Sequence, residues 1–324
     1  MRIKFAYLFF IAVFAVQCQS SDSKKATAQE VPSAPAQPEA YTLDGKPLFP
    51  SPESETSLRK KDSLLRIAQQ NYQMDTTNLD NIIWLGRRTA YLSRFQEAIA
   101  IYTKGLEKHP NAPELYRHRG HRYLSMRQFD LAIADLEKAA AFAKDRDIEI
   151  EPDGIPNKID KPLSTLQFNI WYHWALAYYL KGDFAKAASI YEACMAYSTN
   201  PDLITATSDW LYMTYRRLGK KAAAARVLEN IKPGMEIIEN ESYYNRLMMY
   251  KGLKKPAELL NLEAPPTDTD VLLNTVTQGY GVGNWYLYNG DTTKAIEIFQ
   301  KVTATDYWIA FGYIAAEAEL VRMK

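Results

Sequence analysis

Residues 81–143, NIIWLGRRTAYLSRFQEAIAIYTKGLEKHPNAPELYRHRGHRYLSMRQFDLAIADLEKAAAFA, contain one pattern written twice. Gly86 and Gly120 each lie 12 residues before an alanine, at Ala98 and Ala132, so the pattern repeats every 34 residues. Each copy has the apolar spacing of two amphipathic helices joined by a short polar turn. Because one such pair cannot bury its own apolar face, each copy needs neighbours to pack against. A repeat of this length therefore predicts a helical solenoid.

Small and aromatic residues mark the seam between the two helices of each copy. The glycine lets the second helix approach closely, and the alanine occupies the helix crossing, where a larger side chain would overpack. Phe95 and Phe129 open the second helices, and Pro110 ends the first copy because proline cannot continue a helix. These residues resemble the tetratricopeptide repeat (TPR) family. The resemblance implies an all-α, right-handed superhelical solenoid of about six TPR-like helical hairpins.

More copies follow along the chain. The next alanine marker, Ala187, lies 55 residues after Ala132, so about 21 residues are inserted before the third unit. Ala224, Ala257 and Ala295 mark three further units, and in each of the last four units a glycine lies five residues before the marker, where a turn belongs. The predicted organisation is an N-terminal capping helix (58–78), units 1–2 (79–142), an inserted loop (143–165), units 3–5 (166–262), unit 6 (263–305) and a C-terminal capping helix (306–324).

The N-terminus, residues 1–18, has the pattern of a secretory signal peptide. Two basic residues precede an apolar run that is too short to span a bilayer. The run ends in Ala15-Val16-Gln17-Cys18, which resembles a bacterial lipobox, although lipoboxes prefer leucine at the first of these positions and a small residue at the third. The resemblance implies lipidation of Cys18 and an outer-membrane lipoprotein facing the periplasm; plain secretion with cleavage nearby is the alternative. Residues 19–57 are rich in serine, proline and charge and predict a flexible tether.

Composition argues against several classes of function. The chain has 39 lysines and arginines against 38 acidic residues, so no global positive field favours nucleic acid. It has no P-loop, no GxSxG and no HExxH motif, which predicts a noncatalytic protein without a cofactor. Cys194 stands where the repeat needs a small buried residue and is expected in the core.

The TPR resemblance implies a binding site for a peptide or protein segment on the concave face, which the first helix of each unit lines. Several of the residues that this register places there could hold a carboxylate, and arginine does so in a bidentate way. The lysine and asparagine clamp of chaperone-binding TPR proteins is not reproduced. An ordinary solvated helix face is the alternative. The predicted groove residues are Arg87, Arg117, His121, Tyr172, Asp209, Arg216, Arg246, Tyr280 and Asn284.

The inserted loop is long for a connection within a compact domain, and such loops are usually functional or disordered. Its turn-rich centre contains Glu151, Asp153, Gly154 and Asn157. Two interpretations stay open: the loop folds across the groove and contributes contacts, or it is a passive linker.

Three histidines form the one pattern that resembles a metal site. His118 and His121 are three residues apart on one helix, and His173 has the place in unit 3 that His118 has in unit 2. Three imidazoles can bind zinc. The neighbouring arginines would repel a cation, so we predict no metal.

The leading hypothesis is therefore a noncatalytic scaffold of the bacterial cell envelope that binds an unidentified protein or peptide on its concave face. It would touch the membrane only through the lipid anchor. The alternative is an accessory lipoprotein that binds a glycan or another small ligand through groove aromatics such as Tyr172 and Tyr280. Exposure of these two rings in a cleft would favour the alternative, and their burial would count against it.

Overall fold

The computed structural model describes residues 37–260 and 269–324. The predicted signal peptide, the lipidated Cys18 and the first part of the tether lie outside the described residues, as does the boundary between units 5 and 6. The helices of the described part are α1 Glu55–Met74, α2 Leu79–Tyr91, α3 Phe95–Lys108, α4 Pro113–Ser125, α5 Phe129–Ala143, α6 Leu166–Lys181, α7 Phe184–Cys194, α8 Pro201–Arg217, α9 Lys221–Val227, α10 Glu241–Tyr250, α11 Pro256–Leu259, α12 Thr269–Tyr288, α13 Thr292–Thr303 and α14 Phe311–Arg322.

These helices form six consecutive antiparallel pairs, from α2/α3 in unit 1 to α12/α13 in unit 6, with α1 and α14 at the ends. The predicted all-α solenoid of helical hairpins is confirmed. Units 4 and 5 are the shortest because their second helices, α9 and α11, are reduced to seven and four residues. None of the helices in the described part of the chain combines the length and the apolar character needed to cross a bilayer.

Every pair turns through one residue in the left-handed backbone region. In units 1 and 2 this residue is Ser93 (φ 58°) and Arg127 (φ 62°), although this conformation is uncommon for residues with a side chain. In the last four units it is the glycine predicted at the turn, where the absence of Cβ removes the steric penalty. These glycines are Gly182, Gly219, Gly252 and Gly290.

The seam of each pair depends on small residues. A Cβ added to Gly86 would lie 2.3 Å from the ring of Tyr102, and one added to Gly120 would lie 2.9 Å from Leu136. Ala132, at the predicted helix crossing, is fully buried. The small residues therefore allow the close helix approach that the repeat pattern predicts.

Cys194 lies in the core, as expected. Its thiol is fully buried and lies 3.6 Å from the hydroxyl of Thr207. Burial raises the pKa of this thiol to about 12, so it stays protonated at neutral pH.

The C-terminal part of the predicted tether (19–57) is ordered and packs on the body, so for these residues the tether prediction is wrong. It forms a hairpin of β1 (Ala40–Tyr41) and β2 (Pro47–Leu48), followed by the start of α1. Trp308 donates an indole hydrogen bond of 2.6 Å to the carbonyl of Phe49. The anchoring groups, such as Gln96 and Trp308, lie 57 to 259 residues away in sequence, so local composition did not indicate them.

The first helices of units 3, 4 and 6 meet at three buried aromatic rings, Tyr179, Trp210 and Tyr280. Trp210 and Tyr280 stack with ring centroids 5.7 Å apart, and Tyr179 lies edge-on to Trp210 at 5.0 Å. The amide of Asn284 in α12 donates to the Tyr179 hydroxyl at 2.9 Å. Unit 6 therefore folds back onto units 3 and 4, and these inner helices pack on each other instead of lining an open groove.

Helix α14 forms ion pairs that connect the C-terminal end of the array to earlier units. Its Glu317 forms a buried ion pair of 2.8 Å with Arg127, the left-handed residue in the turn of unit 2. Its Glu319 pairs with Arg217 at the end of α8. The C-terminal helix therefore contacts units 2 and 4 in addition to covering the last unit.

Candidate functional site

Most of the predicted groove residues are buried inside the protein. The repeat pattern correctly predicted that these residues lie on the first helix of each unit. In units 3, 4 and 6, however, these inner helices contact each other. The prediction of an open groove is therefore wrong for this part of the solenoid. Only His121 and Arg216 remain partly accessible. The buried ones are Arg87, Arg117, Tyr172, Asp209, Arg246, Tyr280 and Asn284.

Several of these buried residues bind one another. Arg246 forms a bidentate ion pair with Asp209, in which its Nε lies 3.0 Å from the carboxylate. Tyr280 is hydrogen-bonded to Tyr179. The half-buried Arg216 donates to the side-chain oxygen of Asn289 at 2.7 Å. Arg246, Asp209 and Tyr280 therefore stabilise the fold and are not available to a ligand.

The inner face of units 1 and 2 is different, because positive charge that is buried at Arg87 and Arg117 and half-buried at Arg122 gathers there without matching negative charge. We call Arg87, Arg117 and Arg122 the arginine cluster. Arg117 is buried and pairs with Glu151 of the inserted loop at 2.9 Å. Its other terminal nitrogen lies 2.9 Å from Nδ1 of His118, and its Nε is buried without a hydrogen-bond partner.

The other two members have weaker partners. Arg87 stacks over Trp84 at 4.5 Å, and its hydrogen bond to the Tyr91 hydroxyl is long at 3.4 Å. Arg122 stacks over Phe95 at 5.2 Å and, among the described residues, forms no ion pair or hydrogen bond through its side chain. Burial lowers the pKa of Arg122 to about 10, so it keeps its charge at neutral pH.

The neighbouring Arg119 has its charge compensated by a carboxylate, unlike the members of the arginine cluster. Arg119, on the other side of the same helix, makes two hydrogen bonds of 2.7 Å to Asp135. Among the residues that the structure describes, the arginine cluster has only Glu151 as a direct carboxylate partner. A second carboxylate, that of Asp153, lies within electrostatic reach of Arg87, which leaves two carboxylates for three guanidinium groups. The cluster therefore carries a net positive charge.

The three histidines lie beside this cluster, and all three stay neutral at pH 7. The rings of His121 and His173 are 4.5 Å apart. Burial, and after it the charges of nearby arginines, lowers the pKa of His173 to about 3 and holds those of His118 and His121 well below their usual value. In the described part of the chain no three histidine, cysteine or acidic side chains are grouped as metal ligands.

The inserted loop lies across the inner helices of units 1 and 2. The carbonyl of Gly154 accepts a 3.0 Å hydrogen bond from Arg88, and a Cβ at this glycine would lie 1.5 Å from the Tyr91 hydroxyl. Asn157 donates to Glu239, before α10, at 2.6 Å. Of the two interpretations of the loop, the geometry supports the one in which it folds across and contributes contacts.

The same loop presents apolar side chains to solvent. No residue from 144 to 164 is buried. Polar contacts, with little apolar burial, therefore hold the loop in place. Four isoleucines of the loop are 45% to 73% exposed, and they are Ile148, Ile150, Ile155 and Ile159.

Sequence reasoning missed several members of this site. Trp84, Arg88 and Tyr91 flank Arg87 on α2. Arg88 and Tyr91 contact the loop at Gly154, and Trp84 lies under the guanidinium groups of Arg87 and Arg88. From the sequence, Arg122 was considered only as one of the arginines beside the histidines that would repel a metal ion. The available signal was the excess of arginine in 117–122 beside an insertion with its own acidic residues.

One segment, residues 170–197, matches the family model of the tetratricopeptide repeat. Among solved structures, MamA is 16% identical over 62% of this chain and 90% of its own, with a TM-score of 0.41. YrrB, described as a TPR protein with an unusual peptide-binding site, is 14% identical over 73% of this chain and 91% of its own, at 0.41. The APC/C hetero-tetramer Cut9–Hcn1 is 15% identical over 76% of this chain and 37% of that chain, at 0.45. A search of curated protein sequences found no match. Unit 3, formed by α6 and α7, is thus the part of the chain whose sequence matches a tetratricopeptide repeat.

Proposed function

We propose that this protein is a noncatalytic scaffold of the bacterial cell envelope that binds a protein or peptide partner. The observation that carries the proposal is the inserted loop, which rests on the rigid inner helices of units 1 and 2 and exposes four isoleucines. A solenoid of this kind holds a binding surface in a fixed shape over several repeats.

The binding surface we propose is the loop face, defined as residues 148–159 together with Trp84, Arg88 and Tyr91. Tryptophan, tyrosine and arginine are the residue types that dominate binding energy at protein interfaces. Several large aliphatic side chains exposed in one short segment are typical of a surface that a partner covers. Since positive charge is in excess beneath the loop, the partner segment would be apolar and acidic.

The glycan-binding alternative loses its support. It depended on Tyr172 and Tyr280 standing in a cleft, and these side chains are 6% and 0% exposed. Neither ring is free to stack on a sugar. We therefore retain a protein or peptide as the proposed partner.

A capture experiment tests the loop face. The full chain and its Ile150→Asp, Ile155→Asp double variant are used as baits in envelope extract, with Leu253→Asp as the matched control because Leu253 is 58% exposed on another surface. We expect one protein to be captured by the native chain and the control and lost with the double variant, because the two charges disrupt an apolar contact. The captured protein is then identified, purified and rebound. Capture that is equal for all three baits, or absent for all, would refute the loop face.

The envelope location rests on the signal-peptide pattern and on the lipobox-like end at Cys18. We expect cells that are fed labelled palmitate to incorporate the label into the native protein and not into a Cys18→Ala variant, because the thiol is the acceptor of the lipid. A native protein without label, or a variant that keeps it, would argue against the anchor.

A further inference from the structure

We propose that the arginine cluster is a binding site for a carboxylate group and that Glu151 of the inserted loop occupies this site when no ligand is bound. A ligand carboxylate would replace Glu151 on Arg117 and displace the loop. The inference rests on the proposed function, because it specifies the chemistry of the partner that the loop face would bind.

Unpartnered buried atoms are the first evidence. Arg117 is 7% exposed, yet its Nε has no partner; the second carboxylate oxygen of Glu151 is buried without one as well. An unsatisfied buried polar atom is costly and rare, so each requires an explanation. Glu151 accepts one hydrogen bond, from Nη2 to Oε1 at 2.9 Å, so the Nε donor beside it stays unpaired. A ligand carboxylate free to align with this fork can form both bonds.

Charge balance is the second evidence. Arg122 forms no ion pair in the described part of the chain, and Arg87 has a tyrosine hydroxyl as its hydrogen-bond partner. The three neighbouring histidines are neutral and add no charge of either sign. A buried cation is stable only where it is paired, and Glu151 together with Asp153, which lies within electrostatic reach of Arg87, cannot neutralise three guanidinium groups. One more anionic group therefore fits the cluster.

The loop has the properties of a segment that can be displaced. Its tip is attached by polar contacts of Glu151, Gly154 and Asn157. At its base, backbone hydrogen bonds join Glu149 to Leu166 and Glu151 to Ser164, so it is the tip that can be displaced. Its isoleucines lie in solvent, so opening it exposes little additional apolar surface. Segments with few buried apolar contacts open at low free-energy cost. The ion pair between Glu151 and Arg117 therefore acts as the internal competitor of a ligand.

The test uses the full chain and succinate as the carboxylate probe, titrated by calorimetry at constant ionic strength. In the Glu151→Gln variant the competitor is removed, and we expect succinate to bind about tenfold more tightly than to the native chain, because the open form is no longer a minor population. The matched control is Asp145→Asn, because Asp145 lies in the same inserted loop but outside the loop face, where it pairs with Lys144. The control should bind succinate as the native chain does.

Hydrogen exchange supplies an independent readout. Succinate should accelerate exchange of the backbone amides of residues 149–157 in the native chain, since binding displaces the loop. N-acetylleucine carries a terminal carboxylate, whereas N-acetylglutamate α-amide carries a side-chain carboxylate, and their relative affinities identify which source the site prefers. Either source supports the proposal.

Three results would overturn it. These are succinate affinity that is not increased by Glu151→Gln, absence of succinate binding to all variants at millimolar concentration, and binding of inorganic phosphate without binding of succinate. The capture experiment can fail separately. If no partner is captured while Glu151→Gln still strengthens succinate binding, the carboxylate site stands and the loop face does not.

Discussion

Replacing Arg246 with methionine is expected to lower the free energy of unfolding by about 3–5 kcal/mol, because the change leaves the carboxylate of Asp209 buried without its counter-charge. The two side chains are 1% and 0% exposed. Arg246 also donates to the carbonyl of Thr277 in α12, so it joins unit 5 to units 4 and 6. Urea denaturation followed by circular dichroism measures the change.

Two further variants separate the ion pair from general damage. Arg59→Met removes an exposed partner of Glu55 and should leave stability nearly unchanged. The double variant Asp209→Leu, Arg246→Met removes both charges and should recover much of the loss, since a buried ion pair can often be replaced by apolar residues. If Arg246→Met costs no more than Arg59→Met, the buried pair does not hold the closure together.

Acidification from pH 7 to pH 5 is expected to destabilise the protein through its buried histidines. The pKa of His173 falls from its usual 6.5 to about 3 in the folded state, mainly because of burial. The unfolded chain therefore binds a proton that the folded chain does not, and stability falls as pH falls below 6.5. His173 alone accounts for about 2 kcal/mol over this interval. His118 and His121, with pKa values lowered for the same reason, contribute with the same sign.

Denaturation curves at pH 7, 6 and 5 measure this effect. In a His173→Gln variant the loss between pH 7 and pH 5 should be smaller by about 2 kcal/mol, because the titrating group is gone. His109→Gln is the control, because His109 lies outside the cluster and contacts the carbonyl of Thr77. Equal acid sensitivity of the native chain and His173→Gln would show that His173 is protonated without cost in the folded state.

The candidate site was only partly predictable. The sequence placed Arg87 and Arg117 on the inner helices, and it placed Glu151 and Gly154 in an insertion for which a contacting loop and a passive linker both stayed open. It did not indicate that Glu151 would reach Arg117, because this contact joins a loop to a helix that precedes it by more than 25 residues. Nor did it separate Tyr280, which is buried in the closure, from a tyrosine exposed in a groove.

The sequence by itself determined the helical pairs of this protein and the positions of their turns. Close helix packing at Gly86 and Gly120 and the turn at Gly182 each depend on a few neighbouring residues. The repeat pattern of the sequence is therefore sufficient to predict the pairs and their turns. Only the tertiary structure decided whether the inner face would be open. The path of a solenoid is the sum of small rotations between successive pairs, and no single repeat encodes that sum. Here it brings Tyr280 against Tyr179 and Glu317 against Arg127, which fills the predicted groove in units 3, 4 and 6 and leaves the arginine cluster of units 1 and 2 beneath the inserted loop.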